Sequence, residues 1–282
     1  MLKFNTRKLI SSIFNRNQSR NQSRSVIRFF GQTDPGLKRV TNEDVFLINH
    51  ELKLYLIADG MGGEAAGEIA SHIFAEAAVE IFSKGFTQSN QDKNVVKLVQ
   101  NVFSVANERI LQHIKQNPLH RGMGCTAELL SFSEKGFVVG HIGDSRTYCF
   151  RDNKLKQLST DHSFVQEQID KGVITSDQSR GHPMRHVILR AVGIEKKIFP
   201  DIIEGNSYPG DVFLLCSDGL TDMVDDQKIL ETLLLPIDLS NKIKNLMNMA
   251  ISAGGSDNIT VILGQTKEDL NSENTVVRTL DE

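Results

Sequence analysis

Three aspartates follow apolar runs that are typical of buried strands. Asp59 follows Leu-Tyr-Leu-Ile-Ala, Asp144 follows Val-Val-Gly-His-Ile-Gly, and Asp218 follows Val-Phe-Leu-Leu-Cys-Ser. A single aspartate at such a place, above all before glycine, indicates an ordinary turn. Three of them suggest more, because carboxylates that end neighbouring strands can converge on one point.

Further acids lie where other strands are predicted to begin: Glu43 and Asp44 precede one apolar run, and Asp257 precedes the last. Converging carboxylates repel each other, and burial raises their pKa values, unless a cation neutralises them. Oxygen ligands favour hard ions such as Mg²⁺ or Mn²⁺ over zinc or copper. Two such ions about 3.5–4 Å apart can generate hydroxide from a bridging water and stabilise an in-line displacement at phosphorus.

Arg39 lies four residues before Glu43, where its guanidinium could bind a phosphate through a bidentate contact. An exposed surface arginine fits the same spacing equally well, so both interpretations stay open. The acids at the strand ends, rather than this arginine, predict a metal-dependent phosphate-ester hydrolase.

Five motifs that contain these residues occur in one order along the chain. They are Arg39-Val-Thr-Asn-Glu43-Asp44, Asp59-Gly-Met-Gly-Gly, Gly143-Asp144-Ser145-Arg146, Ser217-Asp218-Gly219 and Asp257-Asn258. Together they resemble the signature blocks of the metal-dependent serine/threonine protein phosphatases (the type 2C, or PPM, family) over about residues 28–264. Residues 161–193, which we call the flap segment, resemble the flap region of the bacterial branch.

The resemblance implies an α+β fold, a four-layer αββα sandwich in which two antiparallel β-sheets are flanked by helices. It also implies hydrolysis of phosphoserine and phosphothreonine in proteins by direct attack of a metal-bridging hydroxide, without a phospho-enzyme. The expected cofactors are two tightly held Mn²⁺ or Mg²⁺ ions and a third, weaker one. The expected partners are phosphorylated proteins, the substrates of a cognate serine/threonine kinase.

Residue roles are carried over from the family by position. Asp59, Asp218 and Asp257 are expected to hold one ion, and Glu43, Asp59 and the Gly60 carbonyl the other. Asp44 would support them through water, and Asp144 with Asp218 would bind the weaker ion. Arg39 would bind phosphate, and the resemblance makes Arg39, Asp59 and Asp218 the catalytic residues.

Histidines receive no catalytic role in this interpretation. Met61 stands where many eukaryotic members have a histidine that can act as general acid, so the leaving-group acid stays unassigned. His162, His182 and His186 lie in the flap segment and are expected to be structural or solvent-facing.

Apolar patterning predicts strands and helices in an order that fits an α+β domain. Strands are predicted at 26–30, 45–48, 52–58, 126–132, 136–142, 146–150, 154–157, 198–203, 211–216 and 258–264. Helices are predicted at 65–82, 93–116 and 241–252, with a polar, partly helical insert at about 161–185. Short turns separate the four strands between 126 and 157, which favours one antiparallel meander.

The 282-residue chain is predicted to contain a disordered, basic, low-complexity tail at 1–24, a phosphatase domain at 25–265 and a polar tail at 266–282. The first tail repeats Arg-Asn-Gln-Ser-Arg, and it lacks the apolar core of a secretory signal. Two other interpretations of it stay open: a weak amphipathic helix that contacts anionic lipid, and a transit peptide.

Charge and cysteine content narrow the classes of partner and compartment. The first 30 residues carry +7, so the rest of a chain whose net charge is −3 carries −10. An acidic body argues against nucleic acid as a partner, because binding to the phosphate backbone depends on Lys and Arg. Cys125, Cys149 and Cys216 have no CxxC spacing and are predicted to be reduced core thiols of a cytoplasmic protein.

Three other functions are alternatives to a metal-dependent protein phosphatase. Residues 60–65 fit the GxGxxA pattern of dinucleotide-binding proteins, but Asp59 would repel a pyrophosphate and no βαβ repeat follows. A non-catalytic relative that binds phosphoproteins would be expected to lack acids of the metal site, and none is missing. A phosphatase for small phosphate esters also stays open, because the metal site would recognise only phosphate.

Overall fold

The structure, a computed structural model, describes residues 25–62, 66–85, 95–133 and 136–268. Residues 1–24 and 269–282 lie outside the described residues. The predictions for the basic tail, and for most of the polar tail, therefore stay predictions.

Eleven strands in the described residues form two antiparallel sheets. The first sheet has the order β1-β11-β10-β7-β8, and the second has the order β2-β3-β5-β6-β9, with β4 paired to β3. The strands are β1 (Ser25–Asp34), β2 (Asp44–Asn49), β3 (Leu54–Met61), β4 (Gly124–Cys125), β5 (Ala127–Ser133), β6 (Gly136–Ile142), β7 (Arg146–Arg151), β8 (Lys154–Gln157), β9 (Asp201–Gly205), β10 (Val212–Cys216) and β11 (Ile259–Glu268).

Seven α-helices occur in the same residues, together with one 3₁₀ turn (Pro118–His120). The helices are α1 (Ala66–Gly85), α2 (Val95–Gln116), α3 (Phe164–Asp170), α4 (Ser176–Ser179), α5 (Asp218–Thr221), α6 (Asp226–Leu234) and α7 (Leu239–Ser252). The short α3 and α4 lie in the flap segment and agree with its predicted partial helicity.

Three apolar clusters separate four layers. Along β3, Leu54, Leu56 and Ala58 pack with α1 and α2, whereas the alternate residues Tyr55 and Ile57 belong to the cluster between the two sheets. A third cluster joins β10 and β11 to α6 and α7. Both faces of a central strand are therefore buried, which explains its continuous apolar run. The predicted αββα sandwich is confirmed.

The predicted four-strand meander is wrong. β5 pairs with β6 in the second sheet, and β7 pairs with β8 in the first. Residues 143–145 carry the chain from one sheet to the other. Turn signals report that a strand ends, but they do not report which sheet the next strand joins.

A buried polar cluster also links the two sheets. The Glu128 carboxylate on β5 contacts the His141 ring on β6 and accepts a hydrogen bond from the Thr147 hydroxyl on β7. Burial opposes protonation of His141, but the adjacent Glu128 carboxylate raises the pKa of its imidazole. Such a cluster is tolerated in a core because its members satisfy one another.

The described residues contain no helix that is both long and apolar enough to cross a membrane. The three cysteines are free and buried, as predicted. Burial raises the pKa of Cys149 to about 12 and also raises those of Cys125 and Cys216, so the core disfavours their thiolates.

Candidate metal centre

The second sheet contributes acids from two paired strands. Asp44, the first residue of β2, lies opposite Asp59 of β3 in the antiparallel register. Glu43 precedes β2, and its backbone carbonyl accepts a hydrogen bond from Gly60 N–H at 3.2 Å. Asp59 lies inside a strand that continues to Met61, so the turn indicated by Asp59-Gly60 is absent.

The ends of two strands of the first sheet, and the turn that joins the two sheets, contribute the acids that complete the cluster. Asp218 begins α5 two residues after β10, Asp257 lies two residues before β11, and Asp144 lies in the turn between β6 and β7. The charges of Asp44, Asp218, Asp144 and Asp257 all act on Asp59. The structure therefore brings the sequence-predicted aspartates together at one end of the sandwich.

The cluster is electrostatically unfavourable without a cation. Burial raises the pKa of Asp44 to about 6, and burial together with Asp161 and Asp222 raises that of Asp144 to about 7. Burial and the neighbouring aspartates raise the pKa values of Asp59 and Asp218 well above the ordinary value. Burial also raises that of Glu43.

The donor set fits a hard divalent cation. Among the described residues, the buried Oδ1 atoms of Asp44, Asp144 and Asp218 have no hydrogen-bond partner. Unpaired buried carboxylate oxygens are costly, and metal coordination is a usual way to satisfy them. Every candidate ligand in the cluster offers oxygen, as Mg²⁺ and Mn²⁺ prefer.

Asp44 is held from behind by two hydroxyl groups. Ser217 and Thr260 donate hydrogen bonds of 2.8 and 2.6 Å to its Oδ2 atom, which leaves Oδ1 directed elsewhere. Both donors belong to the first sheet, whereas Asp44 belongs to the second. The orientation of this carboxylate therefore depends on the contact between the sheets.

The start of α1 packs tightly against the backbone that precedes β2 and follows Asp59. A Cβ atom at Gly67 would lie 2.3 Å from Glu43 Oε2, and one at Gly60 would lie 2.3 Å from the Gly67 carbonyl oxygen. Only glycine at both positions permits this approach. The helix thereby sets the position of the Glu43 carboxylate.

The loop that carries Arg39 is tied to the residues before β11. Arg39 donates a 2.8 Å hydrogen bond to Asp257 Oδ2. The Asn258 side chain accepts from Glu43 N–H and donates to the carbonyls of Pro35 and Thr41. These contacts place the one arginine that the sequence singled out directly beside the acidic cluster.

Two residues near the cluster received no metal-binding role from the sequence: Asp222, which was not singled out, and His186, which was expected to be structural or solvent-facing and is exposed. His186, Asp218 and Asp222 offer ligand atoms that all lie within 4.8 Å of one another, a group that could hold a metal ion. Asp222 follows α5 directly and lies four positions after Asp218, on the same helical face, but the sequence carries no signal for a helix this short. His186 comes from the flap segment, which only the tertiary structure places here, with its Nδ1 3.4 Å from Asp222.

The other two flap histidines differ in exposure and contacts. The His162 side chain is 9% exposed and contacts the Gly143 backbone, whereas His182 is half-buried and accepts a hydrogen bond from Met184 N–H. No contact described here connects His182 with an acid of the cluster.

Comparison with known proteins identifies the family. Residues 39–263 match the family model Protein phosphatase 2C. Protein phosphatase PhpP of Streptococcus pneumoniae is 35% identical over 244 residues, which cover 84% of this chain and 96% of the relative. Serine/threonine protein phosphatase PstP of Mycobacterium tuberculosis is 34% identical over 238 residues, which cover 84% of this chain and 45% of the relative.

Solved structures of serine/threonine phosphatases resemble this chain in both fold and sequence. The crystal structure of the catalytic domain of PstP in complex with two manganese ions has a TM-score of 0.78 and 33% identity, and the match covers 87% of this chain and 100% of that chain. The chain spans only about half the length of the curated mycobacterial relative.

Proposed function

Because the chain belongs to the protein phosphatase 2C family, we propose that it is a serine/threonine protein phosphatase that requires two manganese or magnesium ions. The observation that carries this proposal is the convergence of aspartates from both sheets, with three buried carboxylate oxygens that lack a hydrogen-bond partner among the described residues. The names of the relatives, and the two manganese ions in the PstP structure, support the same reaction and the same cofactor.

We assign the ligands as the motifs imply. Asp59, Asp218 and Asp257 hold one ion, and Glu43, Asp59 and the Gly60 carbonyl hold the other. Asp144 and Asp218 hold a third, weaker ion. Asp44 supports the ions through water. Ser217 and Thr260 donate to one of its carboxylate oxygens, and the other oxygen has no partner among the described residues.

When bound, the divalent cations supply an activated water and neutralise charge on the transferred phosphoryl group. The chain itself supplies Arg39, whose side chain is 55% exposed and can present two N–H groups to a phosphate. Its hydrogen bond to Asp257 sets the guanidinium at the edge of the cluster. Met61 carries no transferable proton, and we assign no side chain to protonation of the leaving group.

The proposed substrates are proteins that carry phosphoserine or phosphothreonine. Such esters are formed by protein kinases, so we propose that a serine/threonine kinase supplies them. The three free, buried cysteines support a reducing compartment, and we propose a cytoplasmic location. Contact of the basic tail with anionic lipid stays a hypothesis about residues outside the described part.

Hydrolysis of p-nitrophenyl phosphate and of a phosphothreonine peptide, each with Mn²⁺ and then with EDTA, tests the activity. We expect turnover of both with Mn²⁺ and none with EDTA. Turnover of the small ester alone would favour the small-ester phosphatase. Binding of the peptide without turnover of either substrate would favour the non-catalytic relative.

Asp59→Asn and Asp218→Asn test the ligand assignment. Each is expected to lower kcat at least about 100-fold, because loss of a charged ligand weakens metal binding and misplaces the ion. Asp152→Asn is the matched control, since this exposed residue has a φ of 50° that asparagine also adopts. Full activity in the two site variants would refute the assignment.

A further inference from the structure

His162 holds both polar groups of the Gly143 backbone. Its ring Nδ1 accepts a 3.1 Å hydrogen bond from Gly143 N–H, and its backbone N–H donates a 2.7 Å hydrogen bond to the Gly143 carbonyl. The side chain is 9% exposed. One residue at the beginning of the flap segment therefore clamps the turn that joins the two sheets.

The backbone of Gly143 has little room to move if the two hydrogen bonds to His162 change. Its φ is +114°, and a Cβ atom there would lie 2.4 Å from Thr126 Cβ. Asp144 follows directly, and its buried Oδ1 has no partner among the described residues. The Gly143 carbonyl, which accepts from the His162 backbone N–H, lies in the same peptide plane as Asp144 N–H, so a shift of Gly143 also moves Asp144.

His162 is also bonded to the far end of the flap segment. Its carbonyl accepts a 2.7 Å hydrogen bond from Leu189 N–H, and the next residue, Ser163, forms an antiparallel bridge with Ile188. The flap segment therefore leaves and rejoins the body of the protein at one residue. That residue is the one that holds the turn before Asp144.

The second ring nitrogen of His162 faces the start of β9. Nε2 lies 2.6 Å from Arg190 Nη1 and 3.3 Å from Asp201 Oδ2. Arg190 in turn donates a 3.0 Å hydrogen bond to the other oxygen of that carboxylate. The ring is thus fixed on both sides, with His141 packed at a centroid distance of 4.5 Å.

We propose that His162 is a positioning residue, which fixes the Asp144 carboxylate through Gly143 and couples it to the flap segment. Partners that orient a metal ligand from behind typically change metal affinity or activity about 10- to 100-fold when they are removed. The inference rests on the proposed function only in taking Asp144 as a ligand of the weaker ion.

Three substitutions separate the two sides of the ring. His162→Leu removes both nitrogens, whereas His162→Asn places an amide oxygen near the position of Nδ1 and keeps an acceptor for Gly143 N–H. His162→Gln places its polar end near Nε2 and loses that acceptor. If the leucine variant fails to fold, the asparagine and glutamine variants still test the proposal as a pair.

His182→Leu is the matched control. His182 lies in the same flap segment, and its Nδ1 also accepts a backbone N–H, that of Met184, at 3.1 Å. It has no described contact with Gly143 or Asp144. Loss of a flap histidine in general is therefore separated from loss of the bond to Gly143.

The first readout is the hydrogen-exchange rate of the Gly143 amide, measured by NMR. The second is the dissociation constant of the weakest class of bound Mn²⁺, measured by calorimetric titration. In His162→Leu and His162→Gln, we expect each to rise about tenfold. In His162→Asn and His182→Leu, both should stay within about twofold of the unsubstituted protein.

Gly143 exchange and Mn²⁺ binding that are unchanged in His162→Leu and His162→Gln, or equal changes in His182→Leu, would overturn the proposal. Neither readout needs turnover. If the unsubstituted protein hydrolysed no phosphate ester, the proposed function would fail, and these two measurements would still decide the role of His162.

Discussion

Arg39 is paired with Asp257, one of the carboxylates that we assign to a metal ion. The hydrogen bond of 2.8 Å joins two side chains that are 55% and 34% exposed. A guanidinium and a divalent cation compete for the same carboxylate, because each neutralises its charge. Metal binding at Asp257 should therefore free Arg39 to contact a phosphate.

Arg39→Ala tests this role. We expect kcat/KM for a phosphothreonine peptide to fall about 10- to 100-fold, since a charge-assisted hydrogen bond contributes about 1.5–3 kcal/mol. The affinity for Mn²⁺ should rise, because Asp257 loses a competing cation. Steady-state kinetics and calorimetric titration measure the two effects.

Lys38→Ala is the control for Arg39→Ala. Lys38 is exposed and adjacent, so its removal changes the local charge equally but leaves the Asp257 carboxylate paired. An equal loss of kcat/KM in both variants would show that net charge, rather than phosphate contact, is responsible.

Single residues were predictable where they belong to a motif. The acids and Arg39 stand in motifs that can be read from local sequence, and the structure brings them together. His186 carries no local signal, since a lone histidine in a polar insert has no predictable partner. Its approach to Asp222 depends on the tertiary position of the flap segment, which local sequence does not report.

At the level of elements, helix α1 and the turn between β6 and β7 shape the cluster. Helix α1 begins against Glu43 and Gly60, and the turn at residues 143–145 presents Asp144 as the chain crosses between sheets. Both features depend on glycine, one because of space and one because of a positive φ. The start of α1 and the turn between β6 and β7 therefore determine where the Glu43 and Asp144 carboxylates lie.

Gly67→Ala tests the packing of α1 on the cluster. A new Cβ atom would lie 2.3 Å from Glu43 Oε2 and 2.7 Å from the carbonyl carbon of Gly60. Alanine is the better helix former by about 1 kcal/mol, so we expect a folded protein whose kcat falls about 10-fold or more and whose Mn²⁺ binding weakens.

Gly181→Ala is the matched control for Gly67→Ala. No heavy atom lies within 4 Å of the Cβ position at Gly181, so this substitution should leave kcat and Mn²⁺ binding unchanged. Unaltered activity in Gly67→Ala would mean that the Glu43 carboxylate is not placed by α1.

Elements with a strong apolar period were predictable to within a few residues. The prediction of 136–142 agrees with β6, and 93–116 agrees closely with α2, which begins at Val95. Helix α5 was missed, because four residues carry too little period and Asp218-Gly219 indicates a turn. Helix α6 was also missed, although Asp225 caps its beginning through a bond to Lys228 N–H.

At the level of the whole molecule, the acidic cluster makes the stability of the metal-free protein depend on pH. An aspartate whose pKa is higher in the folded state binds more protons there than in the unfolded chain. Stability must then fall as pH rises between the ordinary value near 4 and the folded value. Asp44 and Asp144, with pKa values of about 6 and about 7, place this window at about pH 4–7.

We therefore expect the protein in EDTA to melt at a lower temperature at pH 8 than at pH 5.5, by an amount that corresponds to a few kcal/mol. Saturating Mn²⁺ should remove most of this difference, because the ion neutralises the carboxylates and stabilises the folded state. Calorimetry at both pH values, with EDTA and with Mn²⁺, measures it.

Other ionisable groups do not reverse this expectation. Burial lowers the pKa of His162, which acts in the opposite direction, but this single group is outnumbered by the aspartates with raised pKa values. His141, whose pKa is raised beside Glu128, also loses its stabilising charge as pH rises. The lowered pKa of Asp201, about 2, acts only below the window. A melting temperature in EDTA that is constant or rises from pH 5.5 to 8 would contradict the cluster as described. Asp144→Asn should reduce the slope.

The sequence by itself determined the kind of chemistry, the class of fold and most of the strands. Residue type limits which metals can bind, and the alternation of apolar residues depends only on near neighbours. Tertiary structure decided which sheet each strand joins, and it brought Glu43 within 2.8 Å of the Asn258 side chain, 215 residues away. Contacts between residues so far apart in sequence arise from the packing of two sheets, and the local alternation of apolar residues does not predict them.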